Sequence, residues 1–103
     1  MDNTQSPDKT PDRFELLKAM EEVYDFPCFY PASVIAKAGE EFLQRLRKAL
    51  DYELEGREYK ITKKQSSSGN YISYRIELFV DSADMALDMK DFIRKVEGVI
   101  VLM

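Results

Sequence analysis

One group of residues in this chain has types and spacing suited to binding chemistry. Ser66, Ser67, Ser68, Gly69 and Asn70 form a polar run with Lys63 and Lys64 just before it and Arg75 just after. Three hydroxyls, the amides freed around a glycine and three cations can hold a phosphate or an acidic partner. The plainer reading is that lysines on an edge strand deter sheet-to-sheet pairing while the serines solvate a loop. Tyr71 and Phe79 share a strand face with Arg75, a pattern that stacks bases in some single-sheet RNA binders. No basic residue precedes Gly69 and Tyr74 is out of phase with Tyr71, so nucleic acid is disfavoured. Asp84, Asp88 and Asp91 recur at helical spacing as a trio that a divalent cation needs, yet a solvated helix face accounts for them better and no metal is expected.

Most catalytic constellations are missing. The chain has no histidine, which removes the imidazole base, the Ser–His and Cys–His pairs and any His-rich metal site. Cys28 is the single cysteine, so neither an internal disulfide nor a Cys-based metal site can form within the chain, and its apolar setting reads as a core thiol. Gly39, Gly56, Gly69 and Gly98 stand too far apart for either glycine-rich phosphate loop. The expectation is a protein that is not an enzyme and needs no cofactor.

The elements that must position these residues can be read from periodicity. Residues 59–64 and 71–80 alternate apolar with polar, and the polar run between them is the tip of a hairpin. Residues 29–38 read as an earlier strand, with Pro31 confining regular pairing to its later half. Gly39 and Glu40 open a helix to about Leu54, whose Phe42, Leu43, Leu46, Ala49 and Leu50 fall on one face. A second helix, capped by Asp81 or Ser82, buries Met85, Met89, Phe92, Ile93 and Val96 and stops near Gly98. The closing strand, residues 99–103, is apolar on both faces.

This is a βαββαβ order, with two more segments in front. Residues 1–10 read as a disordered leader, and residues 11–25 as an extra N-terminal helix with Thr10 as its cap and Pro11 at its first position. In a βαββαβ sheet the two main helices cover one face, so either the N-terminal helix or a second subunit is expected on the other. A homodimer through that open face is therefore one alternative.

At 103 residues, 45% hydrophobic and 33% charged, the chain is sized for one folded domain, with residues 26–103 as its body. The opening residues lack a basic and then apolar signal, and no apolar run nears the roughly 20 residues that span a bilayer, so a cytoplasmic location is expected. Net charge is −4, yet from Gly56 to Arg75 five cations stand against Glu58 alone: a basic hairpin on an acidic body.

Phe26-Pro27, the S-x-G-N-Y-x-S run at 67–73, the spacing between them and the closing residues 99–102 resemble the YbeD-like family of small uncharacterised bacterial proteins. That resemblance implies an α+β fold: a ferredoxin-like βαββαβ sandwich with a four-stranded antiparallel sheet, two helices on one face and the extra N-terminal helix. It is related in shape to the regulatory ACT domains that bind amino acids. An ACT-like site would lie at the junction of the first strand and the helix that Gly39 opens, near Ala36, Lys37, Ala38 and Gly39, where Gly39 lets the backbone approach and helix amides face a carboxylate. Glu40 and Glu41 already occupy that helix end, so Gly39 reads more simply as the turn. The expected function is a non-enzymatic regulatory or adaptor module binding a protein partner. The alternative is an ACT-like sensor of an amino acid or anionic metabolite.

Overall fold

Strict alternation builds the sheet. In the strand Tyr71–Val80, every second residue, Ile72, Tyr74, Ile76, Leu78 and Val80, is buried. Cys28–Lys37 repeats the pattern with Tyr30, Ala32, Val34 and Ala36. Such period-two patterning fixes one face of a strand against a core and leaves the other for something else.

The structure, a computed structural model, describes residues 12–65 and 68–103. In chain order these form α1 (Arg13–Val23), β1 (Cys28–Lys37), α2 (Glu40–Leu54), β2 (Tyr59–Gln65), β3 (Tyr71–Val80), α3 (Ala83–Arg94) and β4 (Val99–Leu102). The four strands make one antiparallel sheet in the order β2-β3-β1-β4, the ferredoxin-like arrangement expected from the sequence. Its core lies between the sheet and the helices: Phe42, Leu46, Leu50 and Leu54 come from α2, and Ala83, Ala86, Met89 and Ile93 from α3.

Pro31 limits pairing on one side only. β1 is in register with β3 along its whole length, Pro31 standing opposite Glu77. On its other side Ser33 and Met103 exchange backbone hydrogen bonds, and β4 reaches no further. In an antiparallel ladder, residues two apart send their N–H groups to the same side. Pro31, two before Ser33, therefore has its missing donor on the uncovered edge, where it costs no ladder bond.

The helix ends follow local chemistry. Ser82 caps α3, its hydroxyl accepting the Met85 N–H at 3.1 Å. α2 ends where Glu55 turns left-handed (φ 51°) and Gly56 follows at φ 88°. The expected start of α1 needs correction. Its cap is Asp12, extended at ψ 172°, whose carboxylate accepts the Glu15 N–H at 2.9 Å; Thr10, Pro11 and the leader lie outside the described residues. Nor does α1 run to residue 25. Tyr24 is already extended, and its ring meets Tyr30 edge-on at 5.1 Å.

Those contacts also settle where α1 lies. Its buried residue, Met20, joins the core, and Arg13 reaches Asp84 (2.8 Å) and Asp88 (2.9 Å) on α3. Tyr30 is on the helix-covered side of β1. α1 is thus a third member of the helix layer, and of the two expected covers for the open sheet face it is not the one.

Arg57, just past α2, clamps the start of α3 by paired bonds to Asp81, Nη1 to Oδ1 at 2.9 Å and Nη2 to Oδ2 at 2.5 Å. The guanidinium hydrogen bonds hold the Asp81 carboxyl below the usual carboxylate range. A depressed folded-state pKa contributes stability above the unfolded pKa of about 3.9, and that contribution is lost as pH falls through the folded value. The difference in urea midpoint between wild type and Arg57→Ala is therefore expected to hold steady near neutrality and to vanish in strong acid. A difference undiminished in acid would contradict the clamp's ionic character.

Candidate functional site

Three surfaces concern function: a cavity at the end of β1, the tip of the β2–β3 hairpin, and the sheet face that no helix among the described residues covers.

The cavity lies where the sequence placed the ACT-like alternative. About 580 Å³ in volume, it is lined by Lys37, Ala38 and Gly39 together with Glu40, Glu41, Phe42, Arg45, Gly98, Val99 and Ile100. Ala36, the remaining member of that expected set, is fully buried in the core instead, because its place in the β1 alternation turns it under α2 and α3. Gly39 stands at φ 142° as the N-cap of α2 and supplies no side-chain cap, unlike Asp12 and Ser82. Across the cavity Arg45 donates to the Glu97 carbonyl at 2.9 Å. Gly98 (φ 106°) is held close beneath: a Cβ there would stand 2.8 Å from Phe42 Cδ1. Arg45, Gly98 and Ile100 escaped the sequence reading because only the β1–β4 pairing brings the last turn of the chain against the first turns of α2.

The hairpin set is split by the pleat. Lys63 pairs with Tyr74 and so lies on the helix side of the sheet, whereas Lys64 pairs with Ser73 on the open side, as does Arg75 with Thr62 and Ser33. Lys63 and Lys64 therefore do not form one anion site. Ser66 and Ser67 lie outside the described residues. Ser68 is committed locally, its hydroxyl accepting the Asn70 N–H at 3.3 Å. The Asn70 carbonyl accepts the Ala38 N–H at 3.0 Å, with Gly69 (φ 79°) making the turn between. The tip is thus fastened to the rim of the cavity, and the two sites weighed separately in the sequence are neighbours.

The open face is the largest candidate surface. Cross-strand partners share a face, so the register assigns to it Phe29, Pro31, Ser33, Ile35 and Lys37 from β1, and Tyr71, Ser73, Arg75, Glu77 and Phe79 from β3. β2 adds Lys60, Thr62 and Lys64, and the β4 end adds Val101 and Met103. Tyr71, Arg75 and Phe79 share a face as the sequence suggested, but α1 does not cover them. Phe29 and Phe79 pack edge to face at 5.2 Å, and the Lys60 ammonium stands 4.8 Å from the Phe29 ring centre. Val101 keeps 40% of its surface exposed and Ile100, at the bulge beside it, 50%. The sequence signal was the closing strand, apolar on both faces; which residues it joins required the register.

The remaining expected groups are occupied with structure. Asp84 and Asp88 hold Arg13, and Asp91 pairs with Arg94 at 2.8 Å. Among the described residues no group of three His, Cys, Asp or Glu is gathered as a metal would need. Cys28 is half-buried at the start of β1, less enclosed than a core thiol because it stands at the end of the strand. Burial raises the pKa of the Tyr30 and Tyr74 hydroxyls, which keeps them neutral. No helix among the described residues is long and apolar enough to cross a membrane.

Comparison with known proteins agrees with this architecture. Residues 21–103 match the DUF493 family, described as a protein of unknown function. A UPF0250 protein of Shewanella putrefaciens is 33% identical over 79 residues, which cover 77% of this chain and 89% of that protein. A UPF0250 protein of Shewanella oneidensis is 32% identical over the same shares. Among solved structures, protein HP0495 from H. pylori superposes with a TM-score of 0.67 at 16% identity, covering 100% of this chain and 98% of that one. The ACT domain of GTP pyrophosphokinase from Chlorobium tepidum gives 0.54 at 14% identity over 74% of this chain and 83% of that one. The chain therefore belongs to the DUF493 family, the group of small YbeD-like bacterial proteins, and has an ACT-like, ferredoxin-type fold.

Proposed function

We propose that this protein is a non-enzymatic regulatory module that works in the cytoplasm by binding a protein partner on the open face of its sheet. A single observation carries the reading: among the described residues all three helices lie on one side, and an apolar centre of Phe29, Pro31, Ile35, Phe79 and Val101 has no covering layer. The other exposed large hydrophobics, such as Phe14, Val23 and Tyr52, stand on helices and are scattered, as single exposed side chains on a normal surface are. Contiguous apolar surface rimmed by polar residues is what interaction sites have. The edge strand β2, whose Lys63 and Lys64 the sequence offers to an acidic partner, flanks this surface and contributes Lys60 and Lys64.

Ile35→Glu tests it. Ile35 is half-buried on the open face between Ser73 and Val101, so the longer carboxylate can reach water and the melting temperature is expected to move little. Affinity for a partner recovered on the wild-type protein is expected to fall at least tenfold, since an unpaired carboxylate would be desolvated at the centre of the interface. Unchanged affinity would remove the open face from the proposal.

The cavity supports a second reading, that of a small-effector site. Lys37 belongs both to the cavity lining and to the open face, so an anionic effector there would touch the corner of the partner surface. Gly39→Val is a poor test, because φ 142° strains any side chain. Lys37→Ala is better: thermal stabilisation by an amino acid or anionic metabolite should disappear in the variant, and stabilisation that survives would place the effector elsewhere.

A further inference from the structure

The open face carries more information than its lack of a cover. Its two halves differ chemically. Over β1 and β4 it is apolar: Pro31, Ile35, Val101 and Met103. Along β2 it is basic, with Lys60 and Lys64 joined by Arg75 on β3 and by Lys37 at the hairpin end of β1, while the rest of β3 brings Tyr71, Ser73, Glu77 and Phe79. Against these stand Glu77, 3.9 Å from Arg75, and Glu58 at the far corner, where its carbonyl accepts the Phe79 N–H. The helices on the opposite side carry ten acidic residues against seven cations, a net −3 in a chain whose net charge is −4. The molecule is polar in the electrostatic sense, with a basic face and an acidic back.

Resting on the partner-binding reading above, we infer that the occupant of this face is an amphipathic helix of a partner protein, apolar along one stripe and acidic along one flank. The opposite side of the same sheet already shows what its pleat accepts, since α2 and α3 lie there with apolar stripes turned inward. Four strands spaced about 4.8 Å apart are wide enough for a helix of about 10–12 Å diameter. The ten residues of β3 extend about 33 Å, room for a helix of about six turns. Set with its stripe on Ile35 and Val101, such a helix brings one flank over Lys60, Lys64 and Arg75, and only an acidic flank is attracted there. A second copy of this chain offers the wrong complement through the same face, because its cations would meet their own kind. Nucleic acid would use the cations but leave Pro31, Ile35 and Val101 against a charged backbone.

The test uses the full chain, isotopically labelled, and four probes: a helical peptide with a leucine stripe and a glutamate flank, the same peptide with lysines for glutamates, an acidic peptide of alternating threonine and valine, and single-stranded oligouridylate. The glutamate-flanked helix is expected to shift Ile35, Ser73, Arg75 and Val101 saturably, to weaken at least tenfold in Arg75→Glu, and to weaken as salt rises. The lysine-flanked helix is expected to do none of this. Preferential binding of the alternating peptide, with shifts along the outer edge of β2, overturns the helix while leaving a protein partner in place. Oligouridylate alone shifting Tyr71, Phe79 and Arg75 overturns both readings, as does concentration-dependent dimerisation that shifts the same face. No response to any probe overturns the helical occupant, and the Ile35→Glu affinity comparison then judges partner binding by itself.

Discussion

Leu46→Ala is expected to lower the unfolding free energy by about 2–5 kcal/mol, the range for truncating a buried leucine whose site cannot collapse. Leu46 is completely buried, at the middle of the α2 stripe between Phe42 and Leu50. Its neighbours are fixed on both sides: Phe42 packs on the Tyr74 ring at 5.5 Å, and Tyr59 ties β2 to α2 through its hydroxyl on Asp51 at 2.6 Å. A domain of this size has about 5–15 kcal/mol in total, so the substitution removes a large share. Urea denaturation with an unchanged slope and a reduced midpoint is the expected result. A loss well under 1 kcal/mol would mean that α2 does not seal the core as described.

Charge reversal on the open face has the second large effect, and it acts on binding rather than folding. Lys60, Lys64 and Arg75 are exposed on β2 and β3, and replacing all three by glutamate makes the face acidic like the back of the molecule. Exposed charges of this kind contribute little to stability, about 0–1 kcal/mol for each pair they make. Their influence on association is larger, since steering by an attractive field changes on-rates by about 10–10³-fold. The triple variant is expected to melt near the wild-type temperature and to associate with an acidic partner at least tenfold more slowly at low salt. The gap between the two proteins is expected to close as salt is added, because screening removes the field from both. A slowing that persists at high salt would assign these residues to direct contacts instead of steering.

Much of the fold was legible in the sequence because each level of patterning agrees with the next. The alternation in residues 71–80, the helical stripe from Phe42 to Leu50 and the Ser82 cap each point to one element, and the structure has all three. The N-terminal helix was less legible. Thr10 followed by Pro11 looks like a start signal, but Asp12 competes for the same role, and its carboxylate makes the bond to Glu15. Which side of the sheet that helix takes depends on Met20 and Arg13 finding the core and α3, contacts some seventy residues apart in sequence. The candidate sites divide along the same line. Lys37, Ala38 and Gly39 are consecutive and were found together, whereas Arg45 and Gly98 complete the cavity only through the tertiary fold. Lys63 and Lys64 look like a pair in sequence, but adjacent residues of a strand face opposite ways, and the register divides them.

The central claim is that partners bind the uncovered face of the sheet, and side-chain methyl NMR of the protein with a partner recovered on it tests that claim most directly. Ile35 and Val101 report the open face, Ile76 and Ile93 report the core, and Ile61 reports the helix side of β2. The expected result is saturable movement of Ile35 and Val101 with Ile61, Ile76 and Ile93 almost still. Movement of Ile61 while Ile35 and Val101 stay in place would contradict it and move the binding site to the edge of β2.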